Sequence, residues 1–283
     1  MDAMTATGPT TRLGDPYKDN FRGAPLGSAH LIPCGKSARP IGRDIAVAVN
    51  ISSAGLPFDN TLLASLPRGD FDRLLPDLST LTLEQGTVLM EAGDEVDQIY
   101  FPHYGMLSLL AVLRDGKAIE TATVGREGVV GAMAGLGLYK SLVRVVVQMP
   151  MACTKIAATH FRTVATVSDS VRNLAIRYNE VLLSQARVTA ACNALHSIEA
   201  RFCRWLLQSA DRAASDTIPL TQEFLAEMLG VRRTSVTEVA SKIQGIGAIT
   251  YSRGVIKILD RAVLMRMSCE CYETLVDQSA TLA

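Results

Sequence analysis

The chain has 283 residues with 28 Lys and Arg against 28 Asp and Glu, so its net charge is zero and attraction to a polyanion has to come from a local patch. No apolar run approaches the roughly 20 residues that span a bilayer, and no basic-then-apolar start marks a secretory leader, which points to the cytoplasm and away from a membrane partner. Six cysteines without the rhythm of a disulfide framework fit a reducing compartment.

Residues 1–55 are rich in Gly, Pro, Ser and Thr and lack helical or strand periodicity apart from a short apolar patch at 45–51. They read as a disordered N-terminal extension. An over-long gene start would look the same. Residues 56–163 read as one β-rich domain. After leucines at helical spacing broken by Pro67 and Pro76, short apolar or alternating runs fall at 81–83, 87–90, 98–101, 106–113, 118–124, 143–148 and 152–156, separated by glycine turns. Many short strands at such spacing predict a closed or double-sheet structure. Asp115-Gly116 predicts a hairpin through a type I′ turn.

The run VVGAMAGLGLYKSLVRVVV from Val129 to Val147 superficially suggests a phosphate loop. It fails as one, because Tyr139 rather than Gly precedes Lys140-Ser141, and it fails as a dinucleotide fingerprint because Lys140 stands where the third Gly belongs. His30, His103, His160 and His196 are far apart, with His103 expected on a surface turn. No paired carboxylates or activated Ser stand out, so no enzyme is expected, and neither a cofactor nor a metal.

Residues 164–197 carry Val171, Leu174, Tyr178, Val181, Gln185, Val188, Cys192 and Leu195 at alternating steps of three and four, a heptad seam that buries best against a copy of itself. This predicts a dimerisation helix, with Gln185 setting register; packing on its own domain is the alternative. Residues 198–265 read as a second domain. Thr221 is suited to cap a helix that Gly230 ends, and a second helix from about Arg233 buries Val236, Val239, Ala240 and Ile243. Two short strands joined by Ser252, Arg253 and Gly254 follow, the order of a winged helix-turn-helix. The outward positions Arg232, Arg233, Thr234, Ser235, Thr237, Glu238, Ser241 and Lys242, with Arg253 and Lys257 on the wing, suit bases and phosphates of double-stranded DNA. Residues 266–283 read as a C-terminal tail, with Leu264, Met267 and Cys271 at near-helical spacing and the final residues expected to fray. In it, Cys269 and Cys271 form a Cys-x-Cys pair, too few ligands by themselves for a metal.

LTQEFLAEMLGVRRTSVTEVASKIQGIGAITYSRGVIKILD is similar to the DNA-binding domain of the Crp/Fnr transcription regulators, and GTVLMEAGDEVDQIYFPHYGMLSLL resembles the opening of their sensor domain. The resemblance implies an α+β chain: an N-terminal β-roll, jelly-roll-like in class, then a long dimerisation helix and a C-terminal winged helix-turn-helix. It also implies a homodimer on a near-palindromic site, with RNA polymerase as a further partner. Cyclic-nucleotide-binding relatives hold the ribose with a Glu after the glycine and the phosphate with an Arg-Ser pair about ten residues on. Here Gly131 keeps the glycine, Ala132 replaces the Glu, Leu142-Val143 replaces the Arg-Ser, and Arg144 lies two positions late, about 7 Å along the strand. A cAMP clamp is therefore not expected, and a cyclic-nucleotide-gated regulator with a non-standard pocket at Gly131, Ala132 and Arg144 is the alternative. Only Cys34 lies where cluster-binding relatives group their cysteines, so no iron-sulfur cluster carries over. Thr234 and Glu238 depart from the family's recognition helix, so the operator need not be the family's.

Overall fold

The computed structural model describes residues 59–282, with side chains through 279. The N-terminal extension, His30 and Cys34 lie outside the described residues. Helices α1 (Thr61–Ala64) and α2 (Arg68–Leu74) precede an antiparallel sheet of β1 (Ser79–Leu83), β2 (Val88–Met90), β3 (Gln98–Val112), β4 (Ala118–Val124) and β5 (Arg144–Ala157). Its order is β1-β5-β3-β4, with β2 also paired to β5.

Two pairs of expected short strands are in fact two long ones. The runs at 98–101 and 106–113 merge into β3, and those at 143–148 and 152–156 into β5, because the glycine and proline between them make bulges rather than turns. The β3–β5 register slips between Tyr104 and Met106 and again before Leu107. Gly105 has φ +80°, and a Cβ there would meet the Pro150 carbonyl at 2.5 Å. His103 is consequently not on a surface turn. It is buried inside β3, with Nε2 2.7 Å from Thr154 Oγ1. The hairpin at Asp115-Gly116 is present, but only Gly116 has positive φ. The Leu113 N–H bonds to Lys117 O, so the loop is longer than a two-residue type I′ turn.

Helix α3 (Ala158–Val167) ends at Ser168, whose side chain accepts from the Val171 N–H and caps α4 (Asp169–Leu195). The expected continuous helix over 164–197 is thus broken near its start by an N-cap. Helix α5 (Ile198–Ala213) begins the C-terminal half, capped by Ser197. Then come β6 (Thr217–Pro219), α6 (Gln222–Leu229), α7 (Arg233–Gly245), β7 (Ile249–Ser252), β8 (Val255–Ile258) and α8 (Arg261–Met267). The wing strands fall where expected, but β6 adds a third strand, giving the order β6-β8-β7. The near-helical spacing in the tail corresponds to helices α8 and α9 (Cys271–Leu282); α9 lies along α4, where Ser184 Oγ donates to Gln278 Oε1 at 2.6 Å.

One apolar core joins the sheet to α3 and α4 around Phe101, Phe161 and Tyr178. A second fills the C-terminal half around Phe202, Trp205 and Leu206, and also takes in Met106, Leu110, Val146 and Met149 from the sheet. No helix among the described residues is long and apolar enough to cross a membrane.

Candidate nucleic-acid interface and sensor cavity

Helix α6 forms because Thr221 accepts from the Phe224 N–H and Gly230, at φ +63°, ends it in the left-handed conformation. The short turn that follows aims α7 outward. Val236, Ala240 and Ile243 are buried beneath it, while Arg232, Arg233, Thr234, Thr237, Glu238, Ser241 and Lys242 are exposed and Ser235 is half-buried. Across the wing, Arg253 and Lys257 are exposed as well. Arg233, Arg253, Tyr251, Gln222 and Thr221 line one concavity of about 280 Å³ between the two helices and the wing tip. The sequence placed these cations on one face, and the structure brings two of them to a common seat.

Not every cation there is available in the same way. Lys242 Nζ lies 2.5 Å from Glu199 on α5, so it is tied to its own domain. Among the described residues, the ion contact of Arg233 is a long one, 3.8 Å, with the exposed Glu223, a pair that costs little to open. Arg232, Arg253 and Lys257 have no ion-pair partner among the described residues.

The heptad seam packs differently from its expected role. Val171, Leu174, Tyr178, Val181, Gln185 and Cys192 are buried within their own chain, and Val188 is half-buried against the cysteines of the tail. Leu195 is exposed. The buried part of the seam is covered by the sheet and α9 of its own chain, the alternative the heptad pattern allowed. Gln185 illustrates the change: its Oε1 accepts from the Thr123 N–H on β4 at 3.2 Å and from Arg212 on α5 at 3.3 Å, joining three elements of one chain. The face left open on α4 lies two residues on, at Ile176, Glu180, Leu183, Arg187, Ala190 and Ala194, about 200° around the helix from the expected seam. Ile176 and Leu183 are 48% and 41% exposed, and Arg187 pairs with Glu180 at 2.9 Å.

A cavity of about 690 Å³ lies between the sheet, the 129–145 segment and α4. Gly131 and Ala132 line it as expected, together with Met90, Leu109, Val130 and Leu182. Arg144 does not: its Nε bonds to both carboxylate oxygens of Glu91, at 2.9 and 3.1 Å. The charged residues on the lining are Glu95 and Lys140. A largely apolar wall with no arginine gives a cyclic phosphate no guanidinium fork to bind.

The two halves meet at a polar group that no motif or spacing singles out. Glu120 on β4 is fully buried, accepting from Trp205 Nε1 at 2.8 Å and from Ser108 Oγ at 2.5 Å. Burial pushes its carboxyl up to about 7, against the pull of these donors and of Arg204 and Arg212. Arg212 also pairs with Glu127 at 3.2 Å. Gly230 sits so close to β4 that a Cβ would meet Ile119 Cδ1 at 2.6 Å.

Residues 80–167 match the model of the cyclic nucleotide-binding domain, and residues 200–267 match that of the Crp-like helix-turn-helix domain. The chain belongs to the Crp/Fnr regulators. No curated protein matches it. Among solved structures, a putative Crp/Fnr transcriptional regulator from Eubacterium rectale is similar at TM-score 0.59 and 19% identity, over 73% of this chain and 96% of that one. FixK2 of Bradyrhizobium japonicum is similar at TM-score 0.59 and 13% identity, over 68% and 98%. The global regulator CLP of Xanthomonas campestris, described as c-di-GMP responsive, gives 0.56 and 16%, over 68% and 99%. At these identities the likeness is one of fold. The Crp/Fnr assignment accounts for the order of sheet, long helix and winged helix-turn-helix. It leaves open what this cavity holds.

Proposed function

We propose that the chain is a homodimeric, sequence-specific DNA-binding transcription regulator that sets α7 into successive major grooves and does not use the cAMP clamp. The observation that carries this reading is the outward face of α7, where Arg232, Arg233, Thr234, Thr237, Glu238 and Ser241 stand together beside the wing-tip Arg253. Arg233 is the base reader, since a guanidinium bonds bidentately to guanine, and Arg253 and Lys257 hold phosphates. The second copy docks along the Ile176–Leu183 face of α4, which keeps the alternating spacing of a helix-helix seam. Two-fold symmetry then places half-sites about 34 Å apart, with RNA polymerase as the protein partner at the bound promoter. A signal in the sensor cavity acts by changing how the two recognition helices are spaced.

The test is selection of bound sequences from a random duplex pool, with and without cAMP, repeated with Arg233→Ala. A near-palindromic consensus without nucleotide, weakened about 5- to 150-fold at one base position by Arg233→Ala, is the expected result. No enrichment in either arm would overturn it. The second reading, a cyclic-nucleotide-gated regulator with a non-standard pocket, is favoured by the cavity itself. Calorimetric titration with cAMP and c-di-GMP decides it, because saturable heat that Ala132→Glu changes would place a nucleotide there.

A further inference from the structure

Cys192 and His196 stand one turn apart at the end of α4, and the chain returns after α8 to place Cys269 and Cys271 beside them. One ligand atom from each lies within 4.8 Å of all the others. Cys192 Sγ is 3.5 Å from Cys269 Sγ, and Cys271 Sγ is 3.5 Å from His196 Nδ1. Around a tetrahedral zinc, bonds of about 2.3 Å to sulfur and about 2.0 Å to nitrogen set neighbouring ligand atoms roughly 3.6–3.8 Å apart. The observed separations bracket that spacing. All four atoms lie too close together for an iron-sulfur cluster, which spreads its protein ligands over more than one iron.

Two further observations point the same way. His196 presents Nδ1 to the thiols while Nε2 lies 3.1 Å from Glu270 Oε1, the carboxylate-imidazole relay that orients a metal-binding histidine. Beside the cluster, Arg201 and Arg204 are buried: Arg201 donates to the Leu229 carbonyl and Arg204 to Gln208 Oε1, Arg204 also acts electrostatically on Glu120, and neither has a carboxylate in ion-pair distance among the described residues. Arg201 interacts electrostatically with Cys192 and Cys269, and Arg204 with Cys192 and Cys271. Buried guanidiniums call for an anion, and three thiolates around one divalent cation carry a net charge of −1.

We infer that Cys192, His196, Cys269 and Cys271 form a mononuclear tetrahedral site for a thiophilic divalent ion of the zinc class. On binding, each of the three thiols releases its proton to solvent as its S–metal bond forms, the neutral imidazole binds through Nδ1, and no electron moves. The ion ties the two ends of the C-terminal half together, because Cys192 and His196 precede the Ser197 junction into α5 and Cys269 and Cys271 follow α8. It thereby pins α9 along α4 and fixes the hinge from which the recognition helix hangs. A Cys192–Cys269 disulfide would use two of these groups and leave the Glu270 relay to His196 unexplained.

The experiment uses the purified full chain without DNA, so its outcome is independent of the DNA-binding reading. Elemental analysis is expected to find one transition-metal ion per chain. After chelation, cobalt(II) alone is expected to give thiolate charge-transfer and tetrahedral d–d bands that one equivalent of zinc abolishes. Glu270→Gln keeps all four ligands and is expected to weaken cobalt binding about 10- to 100-fold, whereas Cys271→Ser and Cys192→Ser lose the tetrahedral spectrum. Wild-type protein with no bound ion, no cobalt bands and all its thiols titrating would overturn the inference. A Cys192–Cys269 disulfide found by mass spectrometry in protein purified under reducing conditions would overturn it in favour of a redox pair.

Discussion

Arg253 shows how much a single residue can conceal in sequence. The wing turn was legible from Ser252-Arg253-Gly254, but not the conformation it imposes: Ser252 pairs with Val255, leaving a two-residue turn in which Arg253 has φ +50° and Gly254 φ +75°. This is the type I′ geometry expected at Asp115-Gly116 and found here instead. A non-glycine residue in that region costs about 1–2 kcal/mol, and the cost is borne at the tip where a phosphate contact would sit. Arg253→Gly is therefore expected to raise stability to denaturant by up to about 1 kcal/mol while weakening duplex binding and lowering the slope of log K against log salt by about one. Paired urea melts and salt-dependent binding curves check this, and a variant that binds DNA like the parent removes Arg253 from the interface.

At the scale of elements, α4 carries the main correction. Its heptad pattern was legible and its partner was not, because periodicity reports that a stripe is buried and is silent on what buries it. Leu174 and Tyr178 are held by the sheet, and Tyr178 reaches so close that a Cβ on Gly128 would fall 1.8 Å from its hydroxyl. The proposed dimer face is the exposed stripe at Ile176 and Leu183. Light scattering separates the two stripes: Ile176→Glu with Leu183→Glu is expected to give folded monomer, whereas Leu174→Ala is expected to remain dimeric and lose about 2–5 kcal/mol of stability. A double variant that stays dimeric would put the interface elsewhere.

Across the whole molecule, Glu120 joins the sheet domain to the helix-turn-helix half through Trp205. Burial raises its carboxyl from an ordinary 4.5 to about 7, so the ionised form is the one that folding disfavours. The contribution is fully present below about pH 4.5 and is lost as pH rises through about 7, on the order of 3 kcal/mol for a shift of this size. The melting temperature of the parent is expected to fall more steeply between pH 5 and 8, measured as a difference from Glu120→Gln, which cannot ionise. Parallel pH profiles for the two proteins would show that this contact is not the sensitive one.

The sequence by itself determined the element types, the two-domain order, the helix-turn-helix with its outward cations, and that Ala132 and Leu142-Val143 stand where the relatives' Glu and Arg-Ser would be. These rest on spacing along a few residues and on the identity of single positions, which local propensity and motif comparison can read. The tertiary structure decided which way α4 faces, that Arg144 is spent on Glu91 and is not aimed into the cavity, and that Cys192 and His196 meet Cys269 and Cys271 across more than seventy residues of chain. Such pairings depend on how the chain returns on itself, and no periodicity within either segment records where the other will come to lie.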